Sequence, residues 1–371
     1  MKSRRAFVLI FFATLPVILL AEPARSELSA DIVAALAPVR AQSRLPALAG
    51  AIVNSRGLVA GGVVGVRKLD SDVPATLEDQ WHLGSDTKAM TATLIGLLID
   101  DGKLKFESTI EAIFPDLASK LPERFRKTTV AELLAHRSGL PRGANLSSIS
   151  EKGTLIERRI DVVKSVAQAE WVAPPNAKTS YSNWGYVILG AITERISGQP
   201  WETFVAQRIF APLEMKQVGF YGMGTVGKID QPWPHKKGKP MPKNGPQTGN
   251  SPVMAPAGAV HCPLGEWAKF IANELRGLRG EPSLLSPATF KRLHTPYANA
   301  NYAGGWLVGT RPWAKGPTFT HAGSNLMNYA VAWLAPKRDV AFLVCTNEGE
   351  GAKPCESAVS GLIKVFEANA R

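Results

Sequence analysis

No cysteine occurs before position 262, and only Cys262, Cys345 and Cys355 follow. That scarcity excludes a small scaffold held by disulfides and argues against a lipid-anchored cysteine near a processed N-terminus. At most one disulfide can form. Cys345 ends an apolar run and Cys355 opens the last helical stretch, so this pair could close a short surface loop; Cys262 reads as a small buried residue. After Ala21 no run reaches the roughly 18 apolar residues that a membrane span requires. There is no G-x-S-x-G, which counts against an α/β-hydrolase. There is also no H-E-x-x-H, and His235, His261 and His294 lack partners at metal-ligand spacing, so neither metal nor other cofactor is expected. The formal charge is +12, yet no basic face or helix gathers it. Only His235-Lys236-Lys237-Gly238-Lys239 is a cluster, so nucleic acid is not an expected partner. No internal repeat is visible.

The chain does have a distinctive beginning. Lys2, Arg4 and Arg5 precede the apolar run Phe7 to Ala21, and Ala24 and Ser26 supply small residues at −3 and −1 of a cleavage site. Residues 1–26 therefore read as a secretory signal peptide, with an uncleaved anchor as the alternative. Cleavage after Ser26 would remove four basic residues and one acidic residue, lowering the charge from +12 to +9. The expected protein is periplasmic or secreted and not inserted in a membrane after cleavage.

Residues 27–371 read as a single domain. Ser29 to Arg40 is a helix candidate, with Ile32, Val33, Leu36 and Val39 on one stripe. "LAGAIVNSRGLVAGGVVGVR" is a hairpin pattern around Asn54-Ser55-Arg56-Gly57. "TTVAELLAHRSGL" predicts a helix opened by a capping box, Thr129 to Glu132, and stopped at Gly139. "NWGYVILGAITERISG" predicts another, stopped by Gly198. Between Tyr221 and Gly258 the Gly, Pro and Lys content predicts a long loop. "PTFTHAGS", "NYAVAWLAP" and "DVAFLVCTN" form a β meander, followed by a helix from Glu356 to Ala368. The economical arrangement is an α+β fold. One antiparallel sheet, built from about 27–75 and 255–371, is flanked by N- and C-terminal helices and carries a mainly helical lobe, about 76–254, as an insert.

The candidate chemistry starts at Ser85. In "WHLGSDTKAM" the Lys88 amine lies one helical turn from the Ser85 hydroxyl, on the same face. Burial would lower the amine's pKa and make it a base for an otherwise poor nucleophile. Free N–H groups at the helix mouth, including that of Ser85, could hold an oxyanion. One S-x-x-K is about what chance allows in a chain this long, so a capping serine beside a snorkelling lysine is the rival reading. Two further sites share the chemistry. "TSYSNWGY" sets Tyr181 and Asn183 just before an apolar helix, one able to shuttle a proton and the other to hold Lys88 and a substrate carbonyl. "FTHAGSN" sets His321, Gly323 and Ser324 on a strand where glycine lets a substrate lie against the backbone; Ser324 N–H would be the second oxyanion donor. Tyr297-Ala298-Asn299, His82-Leu83-Gly84, Lys236-Lys237-Gly238 and Lys243-Asn244-Gly245 fit the same short patterns without that context. His136 and Ser138 in "AHRSGL" read as helix-end and turn residues.

In this order, Ser85-Asp86-Thr87-Lys88, Tyr181-Ser182-Asn183 and His321-Ala322-Gly323 resemble the three signatures of the serine β-lactamase and penicillin-binding protein superfamily. The Y-S-N form resembles its class C β-lactamase-like branch, which includes carboxypeptidases, D-aminopeptidases and esterases. "LLAHRSGLP", "APAGAVHCPLGEWAKF" and "HAGSNLMNYAVAWLAPKRDVAFLVCTN" extend the likeness over roughly residues 45–350. The resemblance implies a β-lactamase/transpeptidase-like fold and an exported hydrolase acting on an ester, an amide or a D-amino-acid peptide. Ser85 would be acylated, Lys88 its base and Tyr181 the proton relay. Asn183 and His321 would bind substrate, with the oxyanion between the N–H groups of Ser85 and Ser324. His321 and Ala322 depart from the lysine and hydroxyl residue of familiar β-lactamases, which favours esterase or D-amino-acid peptidase chemistry over efficient β-lactam hydrolysis. The alternative is a catalytically silent relative that binds peptidoglycan fragments or a protein partner.

Overall fold

The structure is a computed structural model that describes residues 22–143, 149–241 and 249–369. The leader-like residues 1–21 lie outside the described residues. Seven antiparallel strands make the main sheet: β1 (Ala47–Asn54), β2 (Gly57–Gly65), β3 (Tyr302–Ala303), β4 (Trp306–Arg311), β5 (Gly316–Ser324), β6 (Tyr329–Ala335) and β7 (Val340–Thr346). Their order across the sheet is β2-β1-β7-β6-β5-β4-β3. The first hairpin turns where expected, closing on the Asn54–Gly57 pair. The N-terminal hairpin meets the C-terminal meander at β1 and β7, from Leu48 opposite Thr346 to Val53 opposite Ala341. One sheet is thus built from both ends of the chain.

The central strands are apolar at nearly every position because both faces are covered. On one face Leu48, Ile52, Phe342 and Val344 pack with Ile32, Leu36 and Leu362, from helices α1 (Glu22–Ser43) and α5 (Ala352–Asn369). Alanines dominate the other face: Ala47, Ala49, Ala51, Ala330, Ala332 and Ala341 join the main core. That core also holds helices α2 (Thr87–Asp100), α3 (Asn183–Ser197) and α4 (Leu264–Leu278). The small side chains let these helices approach the sheet closely. The same alternation keeps Cys345 and Cys355 apart. Cys345 belongs to the main core and Cys355 to the α1/α5 side, so all three cysteines are free and buried.

Several elements differ in extent from their sequence patterns. α1 begins at Glu22 rather than Ser29, and α5 at Ala352 rather than Glu356. The Thr129–Glu132 capping box forms, but its helix stops at Leu134. The chain reverses there because His136 adopts a left-handed conformation, φ +54°. Arg137 N–H reaches back to Glu132 O (2.7 Å) and His136 N–H to Leu133 O (3.2 Å), the paired bonds of a Schellman ending. The Tyr221–Gly258 stretch is not wholly irregular: His235–Lys236 pairs with Lys239–Pro240, and a short helix covers Ala255–Gly258. Residues 242–248 of it lie outside the described part. Apart from the main sheet, Val260–Cys262 pairs with Trp81–His82 and Gly219–Phe220 in a small sheet. Among the described residues no helix is long and apolar enough to cross a membrane.

Candidate active site

Ser85 sits in a single 3-10 turn, Gly84–Asp86, that leads into α2. Lys88 lies in the first turn of that helix and has no solvent exposure. Its Nζ is 3.0 Å from Ser85 Oγ, 2.8 Å from Asn183 Oδ1 and 2.6 Å from the Ala257 carbonyl oxygen. The two carbonyl-type oxygens can only accept hydrogen bonds. A neutral amine donates one hydrogen to each and turns its lone pair toward the Ser85 hydroxyl. Burial is also the largest influence on Lys88 and holds its pKa well below the usual lysine value; Asp86 opposes this and Arg142 reinforces it. Burial likewise pushes Asp86 well above the carboxylate range, against the pull of Lys88. The dry helix mouth thus favours the uncharged form of both side chains.

The second group is delivered by the start of α3. Ser182 caps the helix, its Oγ accepting from Gly185 N–H and donating to Pro141 O. Asn183 N–H donates to Arg142 O (2.8 Å), tying the first residue of α3 to the turn after Leu140. The Lys88 amine lies 4.9 Å from the centre of the Tyr181 ring. Burial raises the Tyr181 pKa, while the nearby Ser85 hydroxyl and the charge of Arg142 pull it part of the way back. Tyr181 is therefore a protonated phenol beside Lys88.

Strand β5 closes the third side. A Cβ on Gly323 would fall 1.8 Å from Leu83 O and 2.6 Å from Ser85 N; one on Gly84 would fall 2.5 Å from Ser324 N. Only two facing glycines permit this approach, and it sets the Ser85 and Ser324 amides side by side. His321 is buried, with Nε2 3.2 Å from the Tyr302 hydroxyl. Burial, helped by Lys88, lowers its pKa to about 3, so its ring is neutral. Among the described residues no group of three potential ligands could hold a metal ion. A cavity of about 750 Å³ beside Leu278, Phe290 and Phe319 is lined by none of the residues above.

The β-lactamase family profile matches residues 32–358. The chain belongs to the β-lactamase family. It is 32% identical over 153 residues to penicillin-binding protein 4 of Amycolatopsis lactamdurans, covering 41% of this chain and 39% of that protein. It is 25% identical over 241 residues to an unguisins hydrolase of Aspergillus violaceofuscus, covering 62% and 42% of the two chains. The matches therefore span about two fifths of these relatives' own lengths. Among solved structures, D-amino acid amidase from Ochrobactrum anthropi SV3, complexed with L-phenylalanine amide, superposes with a TM-score of 0.72 at 21% identity, covering 93% of this chain and 100% of that one.

In this candidate site Ser85, Lys88, Tyr181 and Asn183 lie together, and Gly323 and Ser324 adjoin the Ser85 turn. The rival pattern Tyr297-Ala298-Asn299 stays outside this cluster; His82-Leu83-Gly84 adjoins it only through the backbone of Leu83 and Gly84, and His82 Nδ1 accepts from Gly84 N–H. Four participants were not singled out as site residues from the sequence. Ala257 contributes a carbonyl, which no side-chain pattern reports. Tyr302 follows the polar run "TPYANAN", where the Gly304-Gly305 pair after it marks a tight turn. Arg142 stacks 5.3 Å from the Tyr181 ring centre, and His136 lies beneath that ring at 4.4 Å.

Proposed function

We propose that this protein is a serine hydrolase that opens an amide or ester bond through an acyl-enzyme on Ser85. The observation that carries the reading is the set of partners around Lys88, which satisfies two amine hydrogens and leaves a lone pair for the Ser85 proton. As that proton moves to Nζ, Ser85 Oγ bonds to the substrate carbonyl carbon. The oxygen gains negative charge between the N–H groups of Ser85 and Ser324. Tyr181 passes a proton to the departing amine or alcohol, drawing on the one now held by Lys88. Water then bonds to the acyl carbon while its proton passes through Tyr181 to Lys88; the Ser85 Oγ–carbon bond breaks, Lys88 returns the proton to Ser85 Oγ and the acid leaves.

Short esters rank first as substrates, D-amino-acid peptides or amides second and β-lactams third. Neutral His321 and the methyl of Ala322 give a substrate carboxylate little to bind, and the likeness to a D-amino acid amidase supports the second class. Action outside the cytoplasm belongs to the same proposal and rests on residues 1–26; sequencing the exported protein should give Glu27 as its first residue, and retention of residue 1 would contradict it. The decisive test compares p-nitrophenyl esters, D-amino acid amides, D-alanyl-D-alanine peptides and nitrocefin, with intact-mass analysis of the trapped protein. One acyl adduct is expected, on the peptide containing Ser85, and none in Ser85→Ala, whose stability should stay within about 1 kcal/mol of the native value. An adduct elsewhere, or native-level turnover by Ser85→Ala, would refute the mechanism. Nitrocefin hydrolysis far faster than that of any ester would reverse the ranking.

A further inference from the structure

We infer that His136 is a positioning residue for Tyr181, clamping the main chain on both sides of the tyrosine and so fixing its ring beside Lys88; the inference rests on the acyl-enzyme reading above. The carbonyl of His136 accepts from Ser180 N–H (2.7 Å), and its ring Nδ1 accepts from Ser182 N–H (3.1 Å). Ser180 and Ser182 are the residues immediately before and after Tyr181. The imidazole itself packs between two tyrosines, 4.4 Å from the Tyr181 ring centre and 4.4 Å from that of Tyr302. It is 1% exposed.

The chemistry of the clamp is specific. A backbone N–H can only donate, so Nδ1 must carry a lone pair and the hydrogen must be on Nε2. The imidazole is therefore neutral in the clamped state, in agreement with burial and nearby Lys88 and His321, which hold its pKa well below the usual value. The backbone adds a second argument. His136 occupies the left-handed position of a Schellman ending, which usually takes glycine because a side chain is strained there. Glycine would end the helix with less strain but could not reach Ser182. Strain of this kind persists where surrounding structure fixes it and clusters at active sites. The other hydrogen bonds to this turn end on the carbonyls of Pro141 and Arg142 and hold Ser182 Oγ and Asn183 N–H, so both main-chain bonds that flank Tyr181 directly are made by His136.

The test uses the full chain, a p-nitrophenyl ester and rapid-mixing measurement of acylation. His136→Phe keeps a ring but has no acceptor. His136→Asn keeps an acceptor close to the Nδ1 position and tolerates positive φ. Acylation should fall about a hundredfold in His136→Phe with KM nearly unchanged, the scale of loss for a catalytic group displaced by about 1 Å, while His136→Asn keeps at least about a tenth of the native rate. Because the effect runs through Tyr181, His136→Phe should cost less than about threefold in a Tyr181→Phe background. An equal loss in both backgrounds, or a loss in His136→Asn as deep as in His136→Phe, would overturn the inference; His136→Leu repeats the comparison should the phenylalanine variant not fold. Native protein that acylates Ser85 alongside a His136→Phe variant of native rate removes the inference alone, whereas native protein that forms no Ser85 adduct removes the reading beneath it.

Discussion

At the scale of single residues the site turns on whether one amine is charged. Lys88 has room for three partners and meets two that only accept, so an ammonium would have to donate its third hydrogen to Ser85 and could not take the serine's proton. Arginine at this position keeps its charge at any accessible pH and is too large for a pocket with no solvent exposure. Lys88→Arg should therefore reduce acylation by about a hundredfold or more, close to the loss in Lys88→Ala. A variant retaining most of the rate would make Lys88 an electrostatic support and leave Tyr181 as the base. In the native protein activity should fall toward acid pH, as Lys88 gains a proton on passing below its lowered pKa. The clustering of these side chains was legible because Ser85 and Lys88, or Tyr181 and Asn183, lie within a few residues of one another. His136 was not. Its pattern, a histidine at the end of a short helix, is the same whether the ring points to solvent or supports a tyrosine 45 positions later, and only the Ser182 N–H bond distinguishes the two.

At the scale of elements, the site is an agreement among three segments distant in the chain. Arg159, buried in the helix Leu155–Ser165, pairs with Glu194 of α3 and donates to the carbonyls of Pro252 and Val253. It thereby ties α3 to the segment whose Ala257 carbonyl receives Lys88. The strand side depends on Gly323. In Gly323→Ala the new methyl would collide with Leu83 O and Ser85 N, so β5 must retreat from the α2 mouth. Loss of one oxyanion donor costs about a hundred- to a thousandfold, and we expect that loss with far-UV circular dichroism unchanged; native acylation by this variant would separate the oxyanion site from Ser324. Strand and helix identities were readable from period and caps, as the hairpin at Asn54–Gly57 and the Thr129 capping box illustrate. Helix ends were readable where glycine stops the helix, as at Gly198 after Asn183–Ser197, but not elsewhere. The end at Leu134 was set by the turn that His136 makes, and the expected stop at Gly139 ignored it.

At the scale of the whole molecule, buried neutral histidines make the fold acid-sensitive. Burial lowers His82 and His321 to about 3 and His261 to about 4, whereas the unfolded chain titrates near 6.5. Below that value the unfolded state binds more protons than the native one, so stability declines with falling pH by up to about 1.4 kcal/mol per histidine per pH unit. The denaturant midpoint should drop steadily from pH 7 to pH 4, with proton uptake on unfolding; a flat profile would show that these rings titrate normally in the native state. The joining of β1 to β7 has another consequence. Thr346 Oγ1 bonds to Ala47 O, 299 positions away in the chain, and a contact of that span cannot form until nearly the whole polypeptide has been made. High contact order of this kind slows folding. A nascent chain missing its last strand cannot close its own sheet, so the β1–β2 hairpin waits with the edge of β1 unpaired, open to wrong partners, until Val340–Thr346 arrives.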